Sequence, residues 1–463
     1  MKRRIKVIET HLASDNKLKE QPELLFTKEP PEPDNQEAQI LNIYDEVQYQ
    51  EILGFGGAFT ESTALNLSRV NPELKKQVLE LYFDSEKGIG YNLCRSTINS
   101  CDFSEDFYTY DDVDGDFELG HFDISHDKET ILPAIREAKK ISEELLIFAS
   151  PWSPPAWMKT NGKMAKGGKL KKECQDVWAR YVARYLQEYQ KEGVEIWGIT
   201  VQNEPKAQQG WESCCYTAGE ERDYVTGYLK PALEKMGLGD RKIFFWDHNK
   251  ERVVDRALET LSSQRAKDCF DGIAVHWYSG DHFSALDVAH KLFPEKFIIS
   301  SEQCTNKGKT PEESGEKYAH DIIGNLNNWA NAWVDWNMFL DDDGNPDHWK
   351  DEQKSSGWKE DEIWVGESPI VYDRKTKQPD IRSSYYYMGH FSKFIHRGAK
   401  RIGYSVYDSK IETCAFQNKD GSIVCVAMNR TDEDKNVTLR YKKETADTVL
   451  KAHSIVTFIF WRV

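Results

Sequence analysis

Ile199-Thr200-Val201-Gln202-Asn203-Glu204-Pro205 and Phe297-Ile298-Ile299-Ser300-Ser301-Glu302-Gln303 are the two stretches on which the fold turns. Each is a short β-branched apolar run that stops at a glutamate. β-Branched side chains suit a pleated surface, and a continuous apolar run marks a strand covered on both faces. Glu204 and Glu302 are therefore expected at the C-terminal tips of buried strands. A parallel barrel gathers such tips onto one face, which is where barrel enzymes do chemistry.

Working outward, strand-like and helix-like runs alternate from about residue 50 to 340. The strand candidates are 52–60, 90–98, 145–151, 196–202, 242–247, 272–278, 296–301 and 332–337. Between them, 173–192 repeats Trp178, Tyr181, Val182, Tyr185, Leu186 and Tyr189 at helical spacing and stops at Gly193. Asn71-Pro72-Glu73 reads as a capped helix start. The expected fold is α/β, a (β/α)8 barrel over 49–385. Beyond about residue 398 the helical period is gone, and β-rich runs at 422–428, 436–441 and 454–462 predict a side antiparallel β-sandwich over 386–463. Residues 1–48 are expected to donate strands to it from 5–9 and 38–49. Residues 13–37, polar and Pro-rich, read as a connecting loop.

With 463 residues and 39% hydrophobic content, the chain suffices for one large and one smaller domain. A formal charge of −16 argues against nucleic acid and anionic membranes as partners. No apolar run reaches the ~18 residues of a membrane span, and none of signal-peptide length follows the basic start Met1-Lys2-Arg3-Arg4. The nine cysteines are odd in number and form no Cys-x-x-Cys, so neither a disulfide framework nor a zinc site is signalled. A reducing cytoplasm is the expected location.

Two glutamates facing each other from the fourth and seventh strands fit a retaining glycosidase, whose acid/base and nucleophile stand about 5–5.5 Å apart. A single strand-end glutamate serves equally as a cap or an ion-pair partner, but Asn203 beside Glu204 is a ready hydrogen-bond partner for a sugar 2-hydroxyl. Trp152, Trp277, Tyr278 and Trp336 end three strands with rings suited to sugar faces. Arg95 on the second strand is placed to hold a carboxylate, Asp102 and Asp247-His248 to bind hydroxyls, and His276 to hydrogen-bond near the nucleophile. No second ligand stands at helical or strand spacing from His276, so no metal is expected.

Beyond these features, the chain resembles glycoside hydrolase family 30, in its glucosylceramidase-like branch. The matching stretches include Gly54-Phe55-Gly56-Gly57-Ala58-Phe59-Thr60, Ser100-Cys101-Asp102-Phe103-Ser104, Ala149-Ser150-Pro151-Trp152, Asn203-Glu204-Pro205, Gly272-Ile273-Ala274-Val275-His276-Trp277-Tyr278 and Asp335-Trp336-Asn337. The resemblance implies a barrel with a side β domain built from both chain ends, Glu204 as acid/base and Glu302 as nucleophile. It also implies sugar contacts from Asp102, Trp152, Asn203, Tyr278 and Trp336, and no metal or organic cofactor. The stretch after the eighth strand departs from the family: Asp341-Asp342-Asp343-Gly344-Asn345-Pro346 replaces a Gly-Gly-Pro-Asn segment, and Trp364 stands nearest a later family Asn.

The expectation is thus an exo-acting β-glycosidase on a small-molecule β-glycoside, oligosaccharide or glycolipid. A β-1,6-glucanase, β-xylosidase or β-fucosidase would share the chemistry. A silent sugar- or glycolipid-binding protein and a metal-dependent barrel hydrolase are rivals of other classes. For Glu204 the mechanism calls for a raised pKa before attack.

Overall fold

The computed structural model describes residues 3–28 and 39–462. Eight parallel strands close into a barrel: Gly54–Phe59, Leu93–Ile98, Leu146–Pro151, Ile196–Thr200, Lys242–Asn249, Gly272–His276, Phe297–Glu302 and Ala332–Asn337. They neighbour one another in chain order, and the eighth pairs with the first through Ala332 and Gly54. Each falls on one of the eight expected runs. Glycine is required where the first strand meets its neighbours. A Cβ on Gly56 would lie 1.9 Å from the Leu93 carbonyl oxygen, and one on Gly57 2.5 Å from the Met338 side chain.

Inside the barrel, Leu93 stands two residues before Arg95 and shares its face of the strand. It packs with Phe148, Phe244, Ala274, Ile299, Ala332 and Val334 in a buried cluster. This apolar plug fills the N-terminal half, so polar side chains further along the strands have a floor to stand on. Outside, helix Gln175–Lys191 buries all six of its periodic residues, and Gly193 ends it at φ +81°. Asn71 caps helix Pro72–Phe83 by accepting from the Leu74 N–H.

The second unit is a ten-stranded sheet drawn from both ends of the chain. Arg4–His11 pairs with Ser454–Trp461, and Ile40–Glu51 lies between Lys400–Val406 and Lys435–Tyr441. All but one pairing in it is antiparallel; Ile40–Glu51 and Lys435–Tyr441 run parallel. The loop expected over 13–37 is corrected in part: Asn16–Leu25 is an edge strand on Arg4–His11, its polar side chains suiting an exposed edge. Residues 29–34, the Pro-rich core of that expected loop, lie outside the described residues.

Helix Ser383–Ser392 joins the two units. Its His390 is buried between Thr10 and Thr457, with ring nitrogens 2.9 and 2.8 Å from their hydroxyls. The apolar core is continuous across the junction, from Ile322 and Tyr387 to Phe416 and Val426. The barrel mouth is left free for a ligand.

Candidate active site

A cavity of about 450 Å³ opens at the C-terminal ends of the barrel strands. Its volume falls within the usual range for small-molecule sites. Asp102, Trp152, Asn203, Glu204, Tyr278 and Glu302 all line it. Glu302 is the last residue of the seventh strand. Glu204 lies just past the fourth, in a turn that gives it φ +46° and ties its N–H to the Asp247 carbonyl at 3.0 Å. A non-glycine residue in the left-handed region is strained, and such strain persists only where its surroundings enforce it.

Arg95 forms the floor. It is wholly buried, and its guanidinium donates to Ser150 at 3.0 Å, Asn203 at 3.0 Å, Asp247 at 2.7 Å and Glu302. The rings of Trp152 and Trp336 lie 4.7 and 5.5 Å from the same group and stack on each other with ring centres 5.1 Å apart. Asp247 receives three further donors: Thr200 and Ser301 at 2.6 Å each and His276 Nε2 at 3.0 Å. Burial opposes its charge, yet Arg95 and His276 hold its carboxyl well below the usual range. Buried charge is tolerated here because every lone pair has a partner.

Glu302 receives Tyr278 Oη on its second oxygen at 2.8 Å. Glu204 faces His276 Nδ1 at 3.3 Å and His248 Nδ1 at 3.6 Å. His276 Nδ1 also lies 4.0 Å from Glu302. One imidazole nitrogen thus reaches both glutamates, and those nearest oxygens stand no farther apart than the 3.3 and 4.0 Å contacts laid end to end.

The Glu204 pKa is shifted against the expectation. Burial works to raise its pKa, but the contacts to His248 and His276 outweigh burial and lower it. Burial works to lower the His276 pKa, but the charge of Glu302 and the bonds to Asp247 and Glu204 push it up to about 9. The shared contacts thus favour charge on Glu204 and a proton on His276. Asp102 is the opposite case. Burial first, then the nearby Asp347, Glu302, Glu212 and Glu204, raise its pKa well above the carboxylate range. Its buried Oδ1 has no hydrogen-bond partner among the described residues, so it is available to a ligand hydroxyl.

Of the other expected residues, Arg95, Asp247 and His276 support the cavity from beneath. Trp277 is not brought into it. His276 and Tyr278 face inward, so alternation turns Trp277 outward, against Tyr318 with ring centres 5.1 Å apart and under Lys317. The far wall holds residues the sequence did not single out as ligand contacts: Gln209, Asn249, Asp347, Trp349, Gln353, Trp358 and Glu362. Trp211 and Trp364 join them, with Trp358 and Trp364 nearly half exposed at the rim. The signal available was three tryptophans within sixteen positions of one long loop. It names no partner until the loop, with helix His348–Ser355, folds across the mouth.

Comparison with known proteins agrees with this geometry. Residues 52–395 match the glycosyl hydrolase family 30 TIM-barrel domain and residues 398–458 the glycosyl hydrolase family 30 beta sandwich domain. The lysosomal acid glucosylceramidase of Mus musculus is 35% identical over 446 residues, covering 91% of this chain and 83% of its own. An endo-1,6-beta-D-glucanase of Neurospora crassa is 29% identical, covering 89% and 85%. The crystal structure of SrfJ from Salmonella typhimurium superposes with a TM-score of 0.93 at 31% identity, covering 99% of this chain and all of the other. With both domains matched in order, this chain belongs to glycoside hydrolase family 30 and is a glycosidase.

Proposed function

We propose that the protein is a retaining, exo-acting β-glycosidase that hydrolyses β-glucosidic bonds by double displacement. Glu302 attacks the anomeric carbon while Glu204 protonates the leaving oxygen. Glu204 then takes a proton from water, which releases the sugar from Glu302. The observation that carries this reading is the contact of one His276 nitrogen with both glutamates, at 3.3 and 4.0 Å. It keeps an oxygen of each glutamate within reach of one nitrogen, an arrangement compatible with a retaining pair about 5–5.5 Å apart. His276, 3.3 Å from Glu204, is placed to exchange a proton with it.

Asp102 and Asn203 are assigned to the sugar hydroxyls and Trp152 to the sugar face, with Trp336 stacked on it. Trp211, Trp349, Trp358 and Trp364 are assigned to the aglycone side, where rings favour a second sugar or an apolar group. The identity to a glucosylceramidase supports glucose as the sugar, with ceramide among the candidate aglycones. The likeness to an endo-1,6-β-glucanase supports a second reading, in which those rings hold further β-1,6-linked glucose units.

The test is the stereochemistry of a 2,4-dinitrophenyl β-glucoside reaction followed by proton NMR, with trapping by a 2-deoxy-2-fluoro glucoside. The β-anomer should form first and the label should sit on Glu302. First formation of the α-anomer, or a label on another residue, would overturn the mechanism. Glucosylceramide in micelles and β-1,6-gluco-oligosaccharides, offered in parallel, separate the two substrates. Early release of glucose alone marks exo action.

A further inference from the structure

Three potential metal ligands converge at one edge of the cavity. The Glu204 carboxylate, His248 Nδ1 and His276 Nδ1 all lie within 4.8 Å of one another, and both nitrogens approach the same carboxylate oxygen, at 3.3 and 3.6 Å. A tetrahedral centre with bonds of about 2.0–2.1 Å needs ligand atoms roughly 3.4 Å apart. Both nitrogen–oxygen contacts are already close to that spacing.

The surroundings fit a metal as well as the donors do. His276 gives its other nitrogen to Asp247 at 3.0 Å, and Asp247 is itself fixed by Arg95, Thr200 and Ser301. A ligating histidine held from behind by a carboxylate is the usual supporting arrangement of a zinc site. His248 Nδ1 is shielded from solvent, makes no hydrogen bond among the described residues and faces Glu204 at 3.6 Å. Glu204 and His248 both line the cavity, so a further ligand can reach the ion from it. Two imidazoles and one carboxylate suit a late first-row divalent cation better than calcium or magnesium.

We propose that Glu204, His248 and His276 form a reversible inhibitory site for a late first-row divalent cation such as Zn2+. The bound ion would occupy the oxygen of Glu204 that faces the leaving group, so the enzyme could neither protonate that group nor activate water. The inhibition rests on the role given to Glu204 above; the binding does not. His320 and His453, by contrast, each have both ring nitrogens engaged by acids: Glu412 and Asp281 for one, Glu316 and Asp432 for the other.

The test titrates Zn2+ into the full chain by calorimetry and reads Co2+ binding from its visible absorption. In parallel, zinc inhibition of aryl β-glucoside hydrolysis is measured with and without EDTA. One equivalent should bind, inhibition should be reversed by EDTA, and His248→Phe should weaken both zinc affinity and the inhibition constant at least tenfold. His248→Gln, which keeps a polar side chain at this partly buried position, should do the same and serves if the Phe variant misfolds. His320→Gln and His453→Gln should change neither quantity. Unchanged affinity in both His248 variants, loss of binding in His453→Gln, or bound zinc that leaves hydrolysis untouched would overturn the proposal. Calorimetry reports the ion whether or not a glucoside is turned over, so failure of the metal site and failure of the glycosidase reading are separately visible.

Discussion

Arg95 and Asp247 lie 2.7 Å apart at the floor of the barrel mouth, both without exposure to solvent. This pair is where the fold and the chemistry meet. Arg95 orients Glu302 and Asn203, and Asp247 orients His276, so the two glutamates take their positions from a single buried ion pair.

Removing Arg95 strips the guanidinium from two buried carboxylates, Asp247 and Glu302, at a cost of about 3–5 kcal/mol. Arg95→Met should lower unfolding stability by that amount in urea titration and also reduce hydrolysis. Arg95→Lys should retain more stability than activity, because an ammonium cannot span Ser150, Asn203, Asp247 and Glu302 at once. Equal losses of the two properties in Arg95→Lys would detach the pair from catalysis.

The glutamates should separate by step. Glu302→Gln is expected to lose turnover on the order of 10⁴-fold or more on every glycoside. Glu204→Ala should lose about 10²–10⁴-fold on substrates with poor leaving groups. With 2,4-dinitrophenyl glucoside the first step needs little acid, so the glycosyl-enzyme should accumulate as a burst, and azide should relieve the second step. No burst and no azide effect would remove Glu204 from the acid/base role.

Tyr278→Phe deletes one hydrogen bond to Glu302 and little else at the cavity edge. A bond to a charged group contributes about 1.5–3 kcal/mol. The expected result is a fall in kcat/KM of roughly 10- to 150-fold with thermal stability nearly unchanged. An unaltered kcat/KM would show that Arg95 alone suffices to orient Glu302.

Lys159 sets a pH dependence of stability. It is fully buried and donates to the carbonyls of Met164 and Ser213, beside the loop that carries Trp211. Burial pushes its pKa down to about 8. A lysine depressed in the folded state binds fewer protons there than in the unfolded chain, whose lysines titrate near 10.4. Stability therefore gains as pH rises from about 8 to about 10, by roughly 3 kcal/mol. Other buried groups titrate in the same range, so the measurement is the difference between wild type and Lys159→Met. That difference should change with pH above about 8 and stay flat between about 6 and 7.

Trp364→Ala should act on the aglycone side. KM for a glycoside with a large apolar or sugar aglycone is expected to rise several-fold to tenfold. Hydrolysis of a small aryl glucoside should change little. Equal effects on both substrates would place Trp364 on the sugar itself.

The sequence by itself determined the architecture and brought Glu204 and Glu302 to one face of it. β-Branched runs between amphipathic helices can bury their faces on both sides only in a parallel sheet, and eight of them in order close a barrel. Glutamates at two run ends must then share one face. Those are local facts, carried by periodicity and by the residue that follows each run. The edge strand Asn16–Leu25 stayed illegible because its alternation is polar and its stability comes from its neighbour, not from its own burial. The outward turn of Trp277 followed from which neighbouring residue faces inward, which strand register decides.

Tertiary structure alone decided the electrostatics and the far wall. His248 lies forty-four positions from Glu204 and twenty-eight from His276, so no spacing rule joins the three. They meet because adjacent barrel strands end at the same height. The protonation of Glu204 was misjudged for the same reason: its pKa depends on two imidazoles brought in by other strands. The tryptophans of the 349–364 loop became a binding wall only when the loop crossed the mouth. A sequence records which groups are present; the field each one feels depends on distances that only the folded chain sets.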